Sequence, residues 1–108
     1  MKTTSTKIDP SVLRGAAGSA VSALKLLANE DRLLLLCQLS HGEMCVSDLE
    51  DELDIRQPTL SQQLGVLRTE GVVNTRRDGK NIFYSVADPK LMTLLETLYR
   101  LYCAKEPR

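Results

Sequence analysis

The stretch SDLEDELDIRQPTLSQQLGVLRTEGVVNTRRDGKNIFYSV, residues 47–86, decides the fold of this chain. It opens with Ser47 and Glu50 at the spacing of a capping box, in which each side chain bonds the other's free backbone N–H group. A short helix to about Leu53 is therefore predicted, and Pro58 suits the first position of a second helix. Two short helices joined by a tight turn are typical of a helix-turn-helix.

The second of these helices is predicted to have an apolar face and a polar face. Leu60, Leu64 and Leu67 cluster within about 60° on a helical wheel, so the opposite face, centred on Gln62, is left to solvent. Glutamine can bond adenine through two contacts in the major groove, and serine or threonine hydroxyls reach base edges or phosphates. We therefore predict that this part of the chain reads DNA through Gln57, Thr59, Ser61, Gln62 and Gln63.

The segment after this helix predicts a β-hairpin. Two β-prone runs, 72–77 and 80–86, are separated by Asp78-Gly79, a dipeptide that favours a tight hairpin turn. A basic hairpin directly after a helix-turn-helix is typical of a wing, and we predict that it contacts DNA through Arg76, Arg77 and Lys80. Taken singly, the glutamines or the hairpin fit a solvated surface, but their order and spacing together favour DNA. A winged helix that binds RNA or only protein is the alternative.

Helices are also predicted on both sides of this reading motif. Apolar residues recur at three- and four-residue spacing over residues 13–27, after a start at Pro10, and small residues crowd the first half. Small residues let another helix approach closely, so this helix is a candidate dimer element. Asn29 is expected to cap a central, buried helix that contains residues 33–37. A last helix from Asp88-Pro89 carries an apolar stripe that we expect to meet the first helix or a partner subunit: Leu91, Leu94, Leu95, Leu98, Leu101 and Tyr102.

The predicted class is mainly α with a β-hairpin wing, a winged helix-turn-helix in the order α-α-α-α-β-β-α. The chain has 108 residues, enough for one domain, and its apolar runs are far shorter than the roughly 20 residues that cross a bilayer. Residues 1–9 lack the apolar stretch of a signal peptide, so we expect a disordered tail on a cytoplasmic protein, followed by one folded domain over 10–105.

The charge distribution is more informative than the net charge, which is zero. Residues 43–55 carry six acidic side chains and no basic one, whereas residues 56–80 carry five basic and two acidic side chains. A neutral protein with one basic segment can still bind nucleic acid through that segment. The acidic segment is then expected to limit non-specific binding, which is largely electrostatic.

Several stretches together resemble the ArsR/SmtB family of repressors. Leu27–Leu33 resembles the family's opening sequence, Gln57–Leu64 its recognition helix, and Arg76–Lys80 with Phe83-Tyr84 its wing. The resemblance implies a homodimer of winged helices on a palindromic operator in double-stranded DNA, released by an inducer, with half-sites about 34 Å apart. Gln63 stands where many members have His, a departure that bears on operator preference.

The metal sites of that family are not predicted here. The metalloid-sensing members have Cys-Val-Cys in the first helix of the reading motif, whereas this chain keeps only Cys45 at that place. The zinc-sensing members use Asp and His ligands in the last helix, but residues 88–104 contain no His and the only histidine is His41. We therefore expect neither a metal nor another cofactor. A metal-responsive repressor that uses Cys45 and a second thiol is one alternative.

Two other cysteines are the candidates for the switch. Cys37 and Cys103 resemble the dithiol of the family's persulfide-responsive subgroup, and this implies that reactive sulfur species or oxidants join the thiols and change DNA affinity. Cys103 also falls more than about 100° from the centre of the last helix's leucine stripe, so it is not simply the next core residue. Structural cysteines with an unknown inducer are the other alternative. An enzyme is not predicted, because no base and orienting group accompany a cysteine nucleophile.

Overall fold

The computed structural model of this chain describes residues 8–103. Eight elements follow one another along this part of the chain: α1 Pro10–Leu27, α2 Glu30–Leu39, β1 Met44–Cys45, α3 Val46–Leu53, α4 Thr59–Thr69, β2 Val73–Asp78, β3 Asn81–Val86 and α5 Pro89–Tyr102. The predicted winged helix-turn-helix is confirmed, with α3 and α4 as the reading motif and β2–β3 as the wing. Residues 1–7 and 104–108 lie outside the described residues, so the division into a tail over 1–9 and a domain over 10–105 stays a prediction.

Polar caps set where the first two helices begin. The Asp9 carboxylate accepts a hydrogen bond of 2.9 Å from the Ser11 N–H, and Pro10 occupies the first position of α1. Asn29 Oδ1 accepts a hydrogen bond of 3.0 Å from the Arg32 N–H, which confirms the predicted cap of α2. Because these bonds satisfy backbone donors that have no partner inside the helix, Asp9 and Asn29 define the starts of α1 and α2.

A short strand was missed by the sequence prediction. Strand β1 pairs antiparallel with β3, placing Met44 opposite Tyr84 and Cys45 opposite Phe83. Since β2 pairs with the other edge of β3, the sheet has three strands in the order β1-β3-β2. The element order is therefore α-α-β-α-α-β-β-α, and the wing is attached to the body of the protein through β1.

Strand β1 also changes the start of the reading motif. Helix α3 begins at Val46 with Cys45 as its N-cap residue, so the capping box predicted at Ser47 and Glu50 is wrong. The pairing of β1 with β3 holds the backbone extended up to Cys45, and the helix follows at once. Ser47 and Glu50 consequently lie inside the helix instead of at its entrance.

The core consists mainly of leucine side chains around a central α2. This helix contacts α1, α3, α4 and α5 as well as β3, which confirms its predicted central position. It is not buried all round as predicted, because Leu34 is 40% exposed. Burying one such side chain contributes roughly 1.5–3 kcal/mol, so the leucines fix the reading motif against the rest of the domain. The largest fully buried side chains are Leu35, Leu36, Leu49, Leu60, Leu67 and Leu95.

Candidate nucleic-acid interface and thiol pair

The outer face of α4 carries polar side chains predicted to read DNA. Leu60, Leu64 and Leu67 are buried, so they determine which face of the helix points outward. Ser61 and Gln62 are exposed on this outward side. Exposed hydroxyl and amide groups on a helix are the groups that hydrogen-bond base edges in the major groove.

The start of α4 differs by one residue from the prediction. The helix begins at Thr59, which is half-buried, and Pro58 is the N-cap residue instead of the first helical residue. Gln57 Oε1 accepts a hydrogen bond of 3.1 Å from the Ser61 N–H and so acts as the capping side chain. Gln57 therefore has a structural role beside the DNA contact predicted for it.

Gln63 is placed differently from its neighbour Gln62. It is half-buried, and its Oε1 accepts a hydrogen bond of 3.3 Å from Arg32 Nη1. Arg32 also donates from Nε to the Leu26 carbonyl at 2.7 Å and from Nη2 to the Lys25 carbonyl at 3.3 Å. One guanidinium thus joins the last turn of α1 to the reading helix.

The wing presents basic side chains beyond its tight turn. Asp78 and Asn81 are paired across the hairpin, and Gly79 has φ +65°, a left-handed conformation that glycine adopts without steric cost. Arg77 is exposed in β2 shortly before this turn, and Lys80 is exposed within it. The predicted hairpin is therefore confirmed, but its two turn residues are Gly79 and Lys80 instead of the predicted Asp78 and Gly79.

The third basic residue of the wing, Arg76, is engaged within the protein. Its Nε and Nη2 each donate a hydrogen bond of 2.8 Å to the two carboxylate oxygens of Glu43. The guanidinium also lies 4.7 Å from the centroid of the Phe83 ring. The Arg76 hydrogen bonds lower the pKa of Glu43, and those to Glu43 raise the pKa of Arg76, so both groups stay charged at neutral pH.

The two cysteines predicted to form the switch lie on α2 and at the end of α5. Cys37 is half-buried, Cys103 is exposed as the C-cap residue of α5, and no disulfide joins them in the structure. Burial is the main factor that raises the pKa of Cys37, and the charge of Cys103 raises it further.

His41 and Tyr99 connect the two cysteine-bearing helices. A carbonyl oxygen only accepts, so the 2.9 Å contact between His41 Nδ1 and the Cys37 carbonyl has the imidazole N–H as donor. The His41 ring packs against the Tyr99 ring, and the Cys103 N–H donates a 2.8 Å hydrogen bond to the Tyr99 carbonyl. The sequence had pointed to neither ring as part of this site, because their contact depends on how α2 and α5 pack.

The third cysteine, Cys45, has a different environment. It is 7% exposed, and its thiol donates to a carboxylate oxygen of Asp48 at 3.4 Å and lies 3.4 Å from the Ser47 hydroxyl. Within residues 8–103, no three His, Cys, Asp or Glu side chains are grouped so that they could hold a metal ion. Cys45 therefore lies in a local polar contact at the start of α3.

Helices α1 and α5 leave a large apolar surface uncovered. Leu13 and Leu24 of α1 are 52% and 55% exposed, and Leu101 and Tyr102 of α5 are 69% and 82% exposed. A groove of about 700 Å³ runs between the two helices, and its α1 side is lined by small side chains such as Ala20. Large apolar side chains exposed on two helices are typical of an interaction site. Over the described part of the chain, no helix has the length and apolar character needed to span a membrane.

The fold and the polar outer face of α4 define a winged helix-turn-helix regulator. Residues 29–75 match the protein family described as "Bacterial regulatory protein, arsR family". The biofilm growth-associated repressor of Agrobacterium fabrum is 58% identical over 83 residues, which are 77% of this chain and 71% of that protein. The transcriptional activator HlyU of Vibrio cholerae is 41% identical over 87 residues, 81% of each chain.

A solved structure supports the same conclusion. The repressor BigR from Xylella fastidiosa superposes with a TM-score of 0.82 at 43% identity, over 91% of this chain and 100% of that one. The chain belongs to the ArsR family of bacterial regulatory proteins. It is a DNA-binding transcriptional repressor similar to BigR and HlyU, and not an enzyme.

Proposed function

We propose that this chain is a homodimeric repressor that binds a palindromic operator and senses reactive sulfur species or oxidants through Cys37 and Cys103. The observation that carries the sensing part is the contact between the two cysteine-bearing segments: His41 bonds the Cys37 carbonyl and packs on the Tyr99 ring, and the Tyr99 carbonyl accepts from the Cys103 N–H. In the cytoplasm, where we place the protein, cellular thiols are kept reduced, so a dithiol starts in the reduced state and responds to an oxidant.

The proposed DNA contacts come from α4 and the tip of the wing. Thr59, Ser61 and Gln62 would reach base edges or nearby phosphates, since they lie on the outer side of a helix that is anchored by buried leucines. Arg77 and Lys80 would bind the phosphate backbone, because they are exposed at the end of the hairpin. Because a dimer carries two such DNA-binding surfaces, the half-sites of the operator are expected about 34 Å apart.

The proposed dimer uses the apolar surface of α1 and α5. A second copy of the chain is the occupant that fits best, because the exposed Leu24 lines a groove whose α1 side carries small side chains, and Leu101 is exposed near the end of α5. Small side chains allow close approach of helices, and burying the leucines removes their apolar surface from water. The two cysteines lie on α2 and α5, so a change at the thiols occurs next to this proposed interface.

The proposed chemistry needs both thiols and one persulfide. Cys103 is the first nucleophile because it is exposed: its thiolate attacks the terminal sulfur of a persulfide RSSH, which leaves a persulfide on Cys103 and releases RS⁻. The half-buried Cys37 thiolate then attacks the inner sulfur, forming a Cys37–Cys103 disulfide and releasing HS⁻. The two thiols lose two electrons, and the sulfane sulfur leaves as sulfide.

The test uses a duplex that the wild-type protein selects from a random-sequence pool. We expect glutathione persulfide to change the affinity of the wild-type protein for this duplex by between about fivefold and 150-fold. Cys37→Ser and Cys103→Ser should bind the duplex but fail to respond, whereas Cys45→Ser, the matched control, should respond like the wild type. Intact-protein mass spectrometry with peptide mapping should find the link between Cys37 and Cys103. A response that is lost in Cys45→Ser and kept in the other two variants would contradict the proposal.

A further inference from the structure

Arg76 crosses the three-stranded sheet. Its pairing partner is Phe83, and Phe83 is also the pairing partner of Cys45, so these three residues form one row from β2 through β3 to β1. Directly paired residues project their side chains from the same face of a sheet. Glu43 immediately precedes β1, and the Arg76 side chain passes over the Phe83 ring to reach it.

The contacts at both ends of this crossing are specific. The two parallel N–H···O bonds of 2.8 Å match the planar fork of a guanidinium to the two oxygens of one carboxylate. The Phe83 ring supports the guanidinium from below at 4.7 Å, and the Asp78 carboxylate lies 3.8 Å from the third nitrogen. The Glu43 side chain is 35% exposed. Arg76 is thus directed towards Glu43, whereas the exposed Arg77 and Lys80 lie closer to the wing tip.

We propose that Arg76 and Glu43 form a strap that fixes the wing to β1, so that Arg76 positions the wing for DNA binding instead of contacting DNA. Because β1 leads directly into α3, the strap sets the position of the wing relative to the reading motif. Arg77 and Lys80 then meet the phosphates at a fixed distance from α4. The inference rests on the proposed DNA binding and assigns Arg76 a role that differs from the contact predicted from the sequence.

Substituting Glu43 distinguishes a positioning role of Arg76 from a direct DNA contact, because the two roles predict opposite changes in DNA affinity. If the strap positions the wing, Glu43→Gln weakens binding to the selected duplex by roughly twofold to fivefold, the range expected for a partly exposed ion pair. If Arg76 instead contacts a phosphate, Glu43→Gln frees that arginine and removes a competing negative charge, so binding becomes tighter. Glu52→Gln, at an exposed position of α3, is the control for the loss of one negative charge.

A charge swap tests whether the pair itself matters. The double variant Glu43→Arg, Arg76→Glu keeps the net charge and the combined length of the two side chains. The strap predicts that it restores affinity to within about threefold of the wild type, compared with a larger loss for Arg76→Glu alone. A direct phosphate contact at position 76 predicts that the double variant binds DNA as weakly as Arg76→Glu.

The salt dependence of DNA binding gives a further test. Arg77→Ala should reduce the slope of log affinity against log salt concentration by about one, and Arg76→Gln should leave that slope unchanged.

Hydrogen exchange of the protein without DNA tests the strap independently of operator binding. Glu43→Gln and Arg76→Gln should speed exchange of the amides of β2 and β3 and leave those of the fully buried α2 core unchanged. Tighter DNA binding by Glu43→Gln, or wing exchange equal to that of the wild type in both variants, would overturn the proposal. Failure of the wild-type protein to select any duplex would instead overturn the proposed function, while the exchange result would still report on the strap.

Discussion

The His41 and Tyr99 rings pack edge to face, with centroids 4.9 Å apart and ring planes at 71°. This contact joins the loop after α2 to the last turns of α5. The His41 imidazole donates to the Cys37 carbonyl, and the Tyr99 backbone carbonyl accepts from the Cys103 N–H. The aromatic pair therefore holds together the region in which the proposed disulfide would form.

Replacing Tyr99 by Leu should weaken this region. We expect the free energy of unfolding to fall by about 0.5–1.5 kcal/mol, the contribution of an aromatic pair beyond the area it buries, and disulfide formation between Cys37 and Cys103 to slow. Denaturant unfolding of the reduced protein and timed mass spectrometry after persulfide addition measure the two effects. Tyr99→Phe keeps the ring and serves as the control; equal behaviour of the Leu and Phe variants would contradict the prediction.

The reactivity of Cys37 should depend on Cys103 through charge. Burial and the Cys103 thiolate both raise the pKa of Cys37 above the ordinary value of 9.0. Cys103→Ser removes the second effect, so the pKa of Cys37 falls and more thiolate is present at any pH below it. We expect iodoacetamide to alkylate Cys37 faster in Cys103→Ser than in the wild type. Peptide mass spectrometry measures the rate from neutral to alkaline pH. An unchanged or slower rate would show that the two thiols do not interact.

The same raised pKa predicts a loss of stability in alkali. A thiol whose pKa is higher in the folded state stabilises that state below the ordinary thiol pKa, and the contribution is lost as the pH rises through the folded value. The free energy of unfolding of the wild type should therefore fall relative to that of Cys37→Ser above about pH 9, the ordinary thiol value of 9.0. Denaturant unfolding under reducing conditions at neutral and alkaline pH measures this difference. The same pH dependence of the free energy of unfolding in both proteins would contradict the prediction.

The neighbouring glutamines of α4 should differ in their effect on DNA binding. Gln62→Ala removes an exposed amide and is expected to cost about 1–3 kcal/mol of discrimination between the selected duplex and a random one. Gln63 is bonded to Arg32, so Gln63→Ala should change discrimination less. Fluorescence anisotropy with both duplexes measures, for each variant, the ratio of its affinities for the selected and the random duplex. Equal losses for the two substitutions would mean that Gln63 leaves Arg32 to contact a base.

The oligomeric state should depend on the exposed leucines of α1. Leu24→Glu places a charge on the apolar surface beside the groove between α1 and α5, and we expect the protein to become monomeric and to bind the selected duplex at least about tenfold more weakly. Sedimentation equilibrium measures the mass, and circular dichroism checks that the helices remain. Leu34→Glu changes an exposed leucine of α2 as a control. A dimer that persists in Leu24→Glu would exclude this surface as the interface.

The sequence predicted those parts of the fold that depend on neighbouring residues along the chain. Asn29 caps α2 through a backbone group three residues away, and the turn of the hairpin forms locally around Gly79. The two residues of β1 have no such signal, because they become a strand only when β3 lies beside them. The capping box failed for the same reason: pairing with β3 starts α3 before Ser47.

The sequence likewise predicted only part of the candidate site. Helical periodicity was sufficient to place Gln62 on the outer face of α4, since the buried leucines define the inner one. Periodicity could not show that Gln63 meets Arg32 or that Arg76 meets Glu43, because each pair joins segments that are distant in the chain. A basic side chain in a wing looks the same in sequence whether its partner is a phosphate or a carboxylate.

The attachment of the wing to β1 has a consequence for how such a protein could respond to a signal. Because β1 is paired with β3 and continues into α3, the wing and the two reading helices are joined through β1 into one structural block. In a dimer of two such blocks, the quantity that a chemical change elsewhere can alter is their separation and relative tilt. One base pair corresponds to about 3.4 Å along the DNA axis, so a displacement of that size between the blocks is enough to put one of them out of phase with its half-site.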